Sequence, residues 1–163
     1  MLLRKIDKRR WDGECTNPSW LISGESPSPP LADLNTSYRA GLSVWSTDAT
    51  AANTKQIVVA MAATRDHIDK LDYALFPENV LENAQIELEL ETGNTPVSAV
   101  NSYHRNLLKL SAGKVLALAD LIAAHGSFHR ISEKDVGKWL DEAMQDKSID
   151  ISKMNKHLRK ALE

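Results

Sequence analysis

Residues 92–96, Thr-Gly-Asn-Thr-Pro, divide this chain into two kinds of sequence. Gly93-Asn94 marks a turn, and Thr95 followed by Pro96 has the residue types of a helix N-cap and first helical position. Before the turn, short apolar and alternating runs read as strands. After it, apolar residues recur at helical spacing to the end. Strands first and helices second argue for an α+β fold: about four to five short strands, in a mixed or antiparallel sheet, packed against C-terminal helices. The expected organisation is one domain over 1–163, strand-rich over 1–91 and helical over 95–163. At 163 residues with 42% apolar and 26% charged content, the chain is long enough for a real core and is not of disordered composition.

Leu2–Ile6 predicts a strand, and Leu42–Ser46 alternates apolar and polar residues as a half-buried one does. Pro18, Pro27, Pro29 and Pro30, with Gly13 and Gly24, predict an extended connector over 12–36 with a short strand at 19–22. Pro27 and Pro30 have PxxP spacing, for which a surface loop is the plainer reading. Thr47 to Lys55 is small and polar, a loop. Ile57 to Ala63 predicts a buried strand. Ile68, Leu71 and Leu75 then predict a helix over 66–75, and Pro77-Glu78 opens a short helix to about Asn83. Gln85 to Leu90 puts Ile86, Leu88 and Leu90 on one face and Glu87 and Glu89 on the other, as an edge strand does. From Val97 a helical pattern runs to about Ala124, with a break near Ser111–Gly113 as the alternative and Gly126 as its end. Ser132 caps another helix, with Val136, Trp139, Leu140 and Ala143 on its apolar face. Asp150 is a further cap, and Met154, Leu158 and Leu162 form the stripe of a last, basic helix.

The N-terminal run Met1-Leu2-Leu3-Arg4-Lys5 has no apolar core of a secretory signal, and no stretch is long and apolar enough to span a membrane. A single cysteine, Cys15, excludes an intrachain disulfide and a cysteine-based zinc cluster. These features lead us to expect a cytoplasmic protein, without a metal or other cofactor.

Net charge is −2, but the charges are segregated. Asp66, Asp69, Asp72, Glu78, Glu82, Glu87, Glu89 and Glu91 face one base, Lys70, between residues 66 and 91. Basic side chains crowd both ends: Arg4, Lys5, Lys8, Arg9 and Arg10 at one, Lys153, Lys156, Arg159 and Lys160 at the other. An acidic face attracts basic partners and repels nucleic acid. The leading expectation is therefore a non-catalytic interaction or regulatory protein (an adaptor, inhibitor, immunity- or antitoxin-like chain). It would steer a partner protein with Asp66, Asp69, Asp72, Glu87, Glu89 and Glu91.

Two alternatives come from the same residues. A hydrolase or nuclease could be built from Arg65, Asp66, His67 and His104, with Asp66 orienting His67 and Arg65 holding an anion, if the segments converge. Solvated helix faces and a structural His104 are the plainer reading. A nucleic-acid binder could use Arg4, Lys5, Arg9 and Arg10 with Lys153, Lys156, Arg159 and Lys160 on phosphates, although base-reading residues are missing from the tail. His125 and His129 flank Gly126 and do not share a helix, so their spacing is no metal motif. No phosphate-binding loop, dinucleotide fingerprint, HExxH or nucleophile elbow is present.

Overall fold

Six strands form one sheet, and every strand pair in it is antiparallel. They are β1 (Leu2–Ile6), β2 (Leu42–Ser46), β3 (Leu71–Phe76), β4 (Glu87–Leu90), β5 (His104–Leu108) and β6 (Ser127–Ile131). Their order across the sheet is β4-β5-β2-β1-β3-β6. The helices are α1 (Thr54–Ala63), α2 (Val80–Asn83), α3 (Ala112–His125), α4 (Glu133–Gln145) and α5 (Lys156–Leu162). The computed structural model describes residues 1–11, 29–34, 41–48, 50 and 53–162. Cys15, the short strand read at 19–22 and Pro27 of the PxxP pair lie outside them.

Alternation along the strands sends side chains to two cores. On one face Leu3, Trp45, Leu71, Tyr73 and Leu75 pack with α1, α4 and α5 through residues such as Ile57, Val58, Leu140 and Leu158. On the other, Leu2, Ile6, Val44, Ala74, Phe76 and Leu107 pack with α2, α3 and the 3-10 segment Pro29–Leu34. The sheet is thus the middle of three layers. The α+β class read from the sequence holds, with an antiparallel sheet and helices on both of its faces.

The order of elements differs from the expected halves. Ile57–Ala63 is not a strand: it lies in α1, where Ile57, Val58, Val59, Ala60, Ala62 and Ala63 are all buried. A helix buried nearly all round has no polar stripe, and periodicity cannot then separate it from a buried strand. The alanines decide for helix. Residues 66–75 are not a helix. Residues 65–67 bend, and β3 follows, with all six of its residues buried. Leu71 and Leu75 fit helical spacing, but with Tyr73 they also fit alternation, and a central strand needs apolar groups on both faces.

The long helix from Val97 is three elements: a 3-10 turn at Ser98–Tyr103, β5, and α3. Thr95 does not cap a helix. Its N–H and hydroxyl donate to Asn101 Oδ1 at 3.0 and 2.8 Å, which folds the turn back on itself. Gly93 permits this, since an added Cβ would lie 3.3 Å from the Trp45 ring and 3.2 Å from His104. Lys109 takes a left-handed backbone, φ 53°, between β5 and α3. Ser111 then caps α3 by accepting from the Lys114 N–H, at the break the sequence offered as its alternative.

Other readings stand. The strands at Leu2–Ile6 and Leu42–Ser46, the short helix ending at Asn83, the edge position of β4, the Ser132 cap and the Asp150 cap are all present. Thr54 and Lys55, at the end of the segment read as a loop, open α1, with Asn53 at its N-cap position. Leu90, expected to be sheltered, is 64% exposed.

Candidate functional site

Where β1 ends it lies beside the start of β3, with Lys5 opposite Tyr73 and Ile6 opposite Asp72. The chain turns away here twice, into the 3-10 turn Lys8–Arg10 after β1 and through the bend at 65–67 before β3. Between these turns opens a cleft of about 570 Å3, lined by Lys5, Asp7, Arg9, Arg65, Asp66, His67, Asp69, Lys70, Asp72 and Asn155 among others.

Its carboxylates are each engaged. Asp72 is only 5% exposed. It accepts a two-pronged guanidinium contact from Arg130 on the neighbouring strand, 2.8 Å at each prong, and the Lys8 N–H at 2.9 Å. Burial pushes the Asp72 carboxyl up, but the Arg130 and Lys8 hydrogen bonds outweigh it and hold it below its ordinary value. The Asp7 carboxylate takes a fork from Arg9, at 3.1 and 2.8 Å, and is lowered to about 2, chiefly by that side-chain hydrogen bond. Asp69 accepts from the Lys70 N–H at 2.7 Å. Asp66 lies 2.6 Å from His67 Nδ1, and both are exposed. Arg65 donates to the Lys70 carbonyl at 3.0 Å.

Arg65, Asp66 and His67 thus meet at one cleft, though not on a helix face, and His67 does not turn toward the core. His104 does not join them. It sits on β5, with β2 and β1 between it and β3, a separation of about 14 Å at the usual strand spacing. Its ring packs edge-on against Trp45 at 5.0 Å, and its Nδ1–H donates to the Glu91 carbonyl at 2.8 Å. The four-residue catalytic set therefore loses its convergence, and His104 ties the 91–103 loop to the sheet.

The acidic block does not form one face. Asp66 and Asp69 line the cleft, Asp72 is buried in its ion pair, and Glu87, Glu89 and Glu91 lie on or beside β4 at the far edge of the sheet. There Glu87 pairs with Lys109 at 2.8 Å, and Asn106 donates to the Glu91 carboxylate. Beside them a groove of about 360 Å3 has Leu81, Ile86 and Leu88 for walls and Glu78 and Glu82 at its rim.

The basic ends do not merge either. Arg4 reaches the face opposite α5 and donates to the Asp33 and Ser43 carbonyls. Arg10 pairs with Asp33 at 2.8 Å, Arg9 with Asp7, and Lys153 with Asp150 at 4.0 Å. Lys156 and Lys160 stay exposed on α5, with Arg159 half-buried between them, and Lys5 opens to the cleft. The roles of Asp7 and Asn155 in the cleft, and of Leu81 in the groove, carried no sequence signal, because each depends on which strands become neighbours.

Among the described residues no group of three or more His, Cys, Asp and Glu is placed to hold a metal ion, and no helix is long and apolar enough to cross a membrane. The chain matches no family model, no curated protein and no solved structure.

The carboxylates of the cleft set an acid limit on the fold. Asp7 and Asp72 both titrate below their unfolded value, so the stability they add is full above about pH 4 and is lost as pH falls through their folded values, toward pH ~2 for Asp7. Asp7 is solvent-screened and contributes little. Melting temperatures measured from pH 6 to pH 2 should therefore show wild type well above Asp72→Asn at pH 6, with the gap closing below about pH 4. A gap independent of pH would contradict the ion-pair account.

Proposed function

We propose that this chain is a non-catalytic interaction protein of the cytoplasm, which docks a partner protein along the open edge of β4. The observation that carries this reading is the edge itself. Among the described residues β4 is hydrogen-bonded on one side only, to β5, and its Leu90 is exposed. Such an edge presents unpaired backbone groups to an incoming strand, and side-chain pockets beside it select the sequence. Glu78, Glu82, Glu87, Glu89 and Glu91 surround the edge and its apolar groove, against Lys109 and Lys114 nearby. The partner segment is therefore extended and basic, with apolar side chains for Leu88 and Leu90. The acidic steering expected from the whole 66–91 block is carried by the β4 half of it.

Charge reversal tests this. Tagged protein returned to its native host should retain a stoichiometric partner at low salt, and Glu87→Lys with Glu89→Lys should weaken that complex by tenfold or more, about the effect of like charges brought face to face. Recovery of no partner, or a complex indifferent to both substitutions, overturns the reading.

The hydrolase or nuclease reading retains one supporting contact, the short Asp66–His67 pair beside Arg65. Without His104 its four-residue set is incomplete, and it ranks second.

A further inference from the structure

Three cations of the cleft, Lys5, Arg65 and Lys70, make no ion pair among the described residues. The Lys5 ammonium forms no hydrogen bond or ion pair among the described residues, and the Arg65 guanidinium makes one hydrogen bond, to the Lys70 carbonyl, with Asp69 and Asp72 attracting it from farther off. That contact fixes one nitrogen of the guanidinium and leaves the rest of the fork to offer. None of the nearby carboxylates hydrogen-bonds to it: Asp7, Asp72, Asp66 and Asp69 are engaged by Arg9, Arg130, His67 and the Lys70 amide, and Asp69 and Asp72 act on it only through their charge. The surroundings of Lys5 are unfavourable to its own charge: burial lowers its pKa first, Arg65 and Arg4 lower it further, and Asp33 and Asp69 only partly oppose them. Burial likewise lowers Arg65. The like charges of Lys5 and Arg65 repel each other until an anion comes between them.

We propose that this cleft is a binding site for a small phosphate monoester, whose phosphate is held jointly by the Lys5 ammonium and the Arg65 guanidinium. A monoester carries a charge of roughly −1.5 to −2 at pH 7, which matches two cations. The planar Arg fork fits its oxygens, and Lys supplies a point charge. The space of about 570 Å3 falls within the range of small-molecule sites and leaves room for an organic group beyond the phosphate. The site lies at the end of β1, away from β4, so it stands or falls independently of the docking edge.

Inorganic phosphate is the probe. Titrated into isotopically labelled protein at pH 7, with chloride holding the ionic strength constant, it should shift the amide resonances of residues 5–7 and 64–70 along one saturable curve. Lys5→Gln and Arg65→Gln should each weaken binding about tenfold, the size expected for losing one hydrogen bond to a charged group. Arg65→Lys, which keeps the charge and loses the fork, should fall between. The spectrum of each variant reports its folding. If Arg65→Gln does not fold, Lys5→Gln, altered at an exposed side chain, still decides the matter. Shifts that stay linear to about 20 mM phosphate, that scatter over the surface, or that persist unchanged in the variants overturn the proposal.

Discussion

Truncating Phe76 to alanine should cost about 3–5 kcal/mol of folding stability. Phe76 heads the fully buried side chains by size. It sits on central β3 opposite Leu2 of β1 and points into the core shared with α2 and α3. The loss has two parts, the transfer energy of the ring and the cavity left behind. Relaxation is restricted, because β3 is hydrogen-bonded on both sides and the layer below it is helical. Folded proteins hold only about 5–15 kcal/mol in total, so a large share of the margin goes with one ring. The melting temperature should fall by roughly 8–16 °C for a chain of this size. Phe76→Leu keeps most of the volume and should lose much less. Denaturant unfolding of both variants checks this, and a Phe76→Ala loss below about 1 kcal/mol would show that the ring is not packed as described.

Replacing Asp72 by alanine should cost about 2–4 kcal/mol, nearly as much, by a different route. The carboxylate is the acceptor for three donors: two guanidinium nitrogens of Arg130 and the Lys8 N–H. Removing it leaves the Lys8 N–H without its acceptor and takes the two-pronged contact from Arg130. Arg130 is 38% exposed on its side chain, so water relieves part of that cost and the smaller end of the range applies to the charge. Asp72→Asn should recover roughly half of the loss, since an amide oxygen still accepts from Lys8 while the charge is gone. Equal stability of the alanine and asparagine variants would assign the whole effect to the ion pair.

What the sequence made legible, and what it did not, follows from how local each signal is. Ser132 and Asp150 were readable as caps because a cap is a contact across two or three residues. The edge character of β4 was readable from alternation, with Glu87 and Glu89 on the outward side. The swap between α1 and β3 was not. Both segments are buried on nearly every side, so neither has the polar stripe that reveals a period. Asp72 illustrates the same limit at the cleft. In sequence it belongs to a run of acids and reads as surface charge. Only the pairing of β3 with β6 puts Arg130 beside it and lets it enter the core. Arg65, Asp66 and His67 stay together at the cleft because they are consecutive. Lys5 joins them, and His104 leaves them, through strand order alone.

The place of β1 in the sheet bears on how the chain can acquire its structure. β1 lies between two partners that both follow it at a distance in the chain, with Leu3 facing Trp45 on one side and Leu75 on the other. During synthesis one of its edges waits for β2 and the other for β3. Closing such distant pairs costs chain entropy before any burial repays it, and folding that depends on them is slow. In the interval an apolar strand stands with both edges open. Arg4 and Lys5 in its middle then act as a charge guard against pairing with other chains. The same two side chains later serve separate ends, one clamping the Asp33 segment and the other facing the cleft.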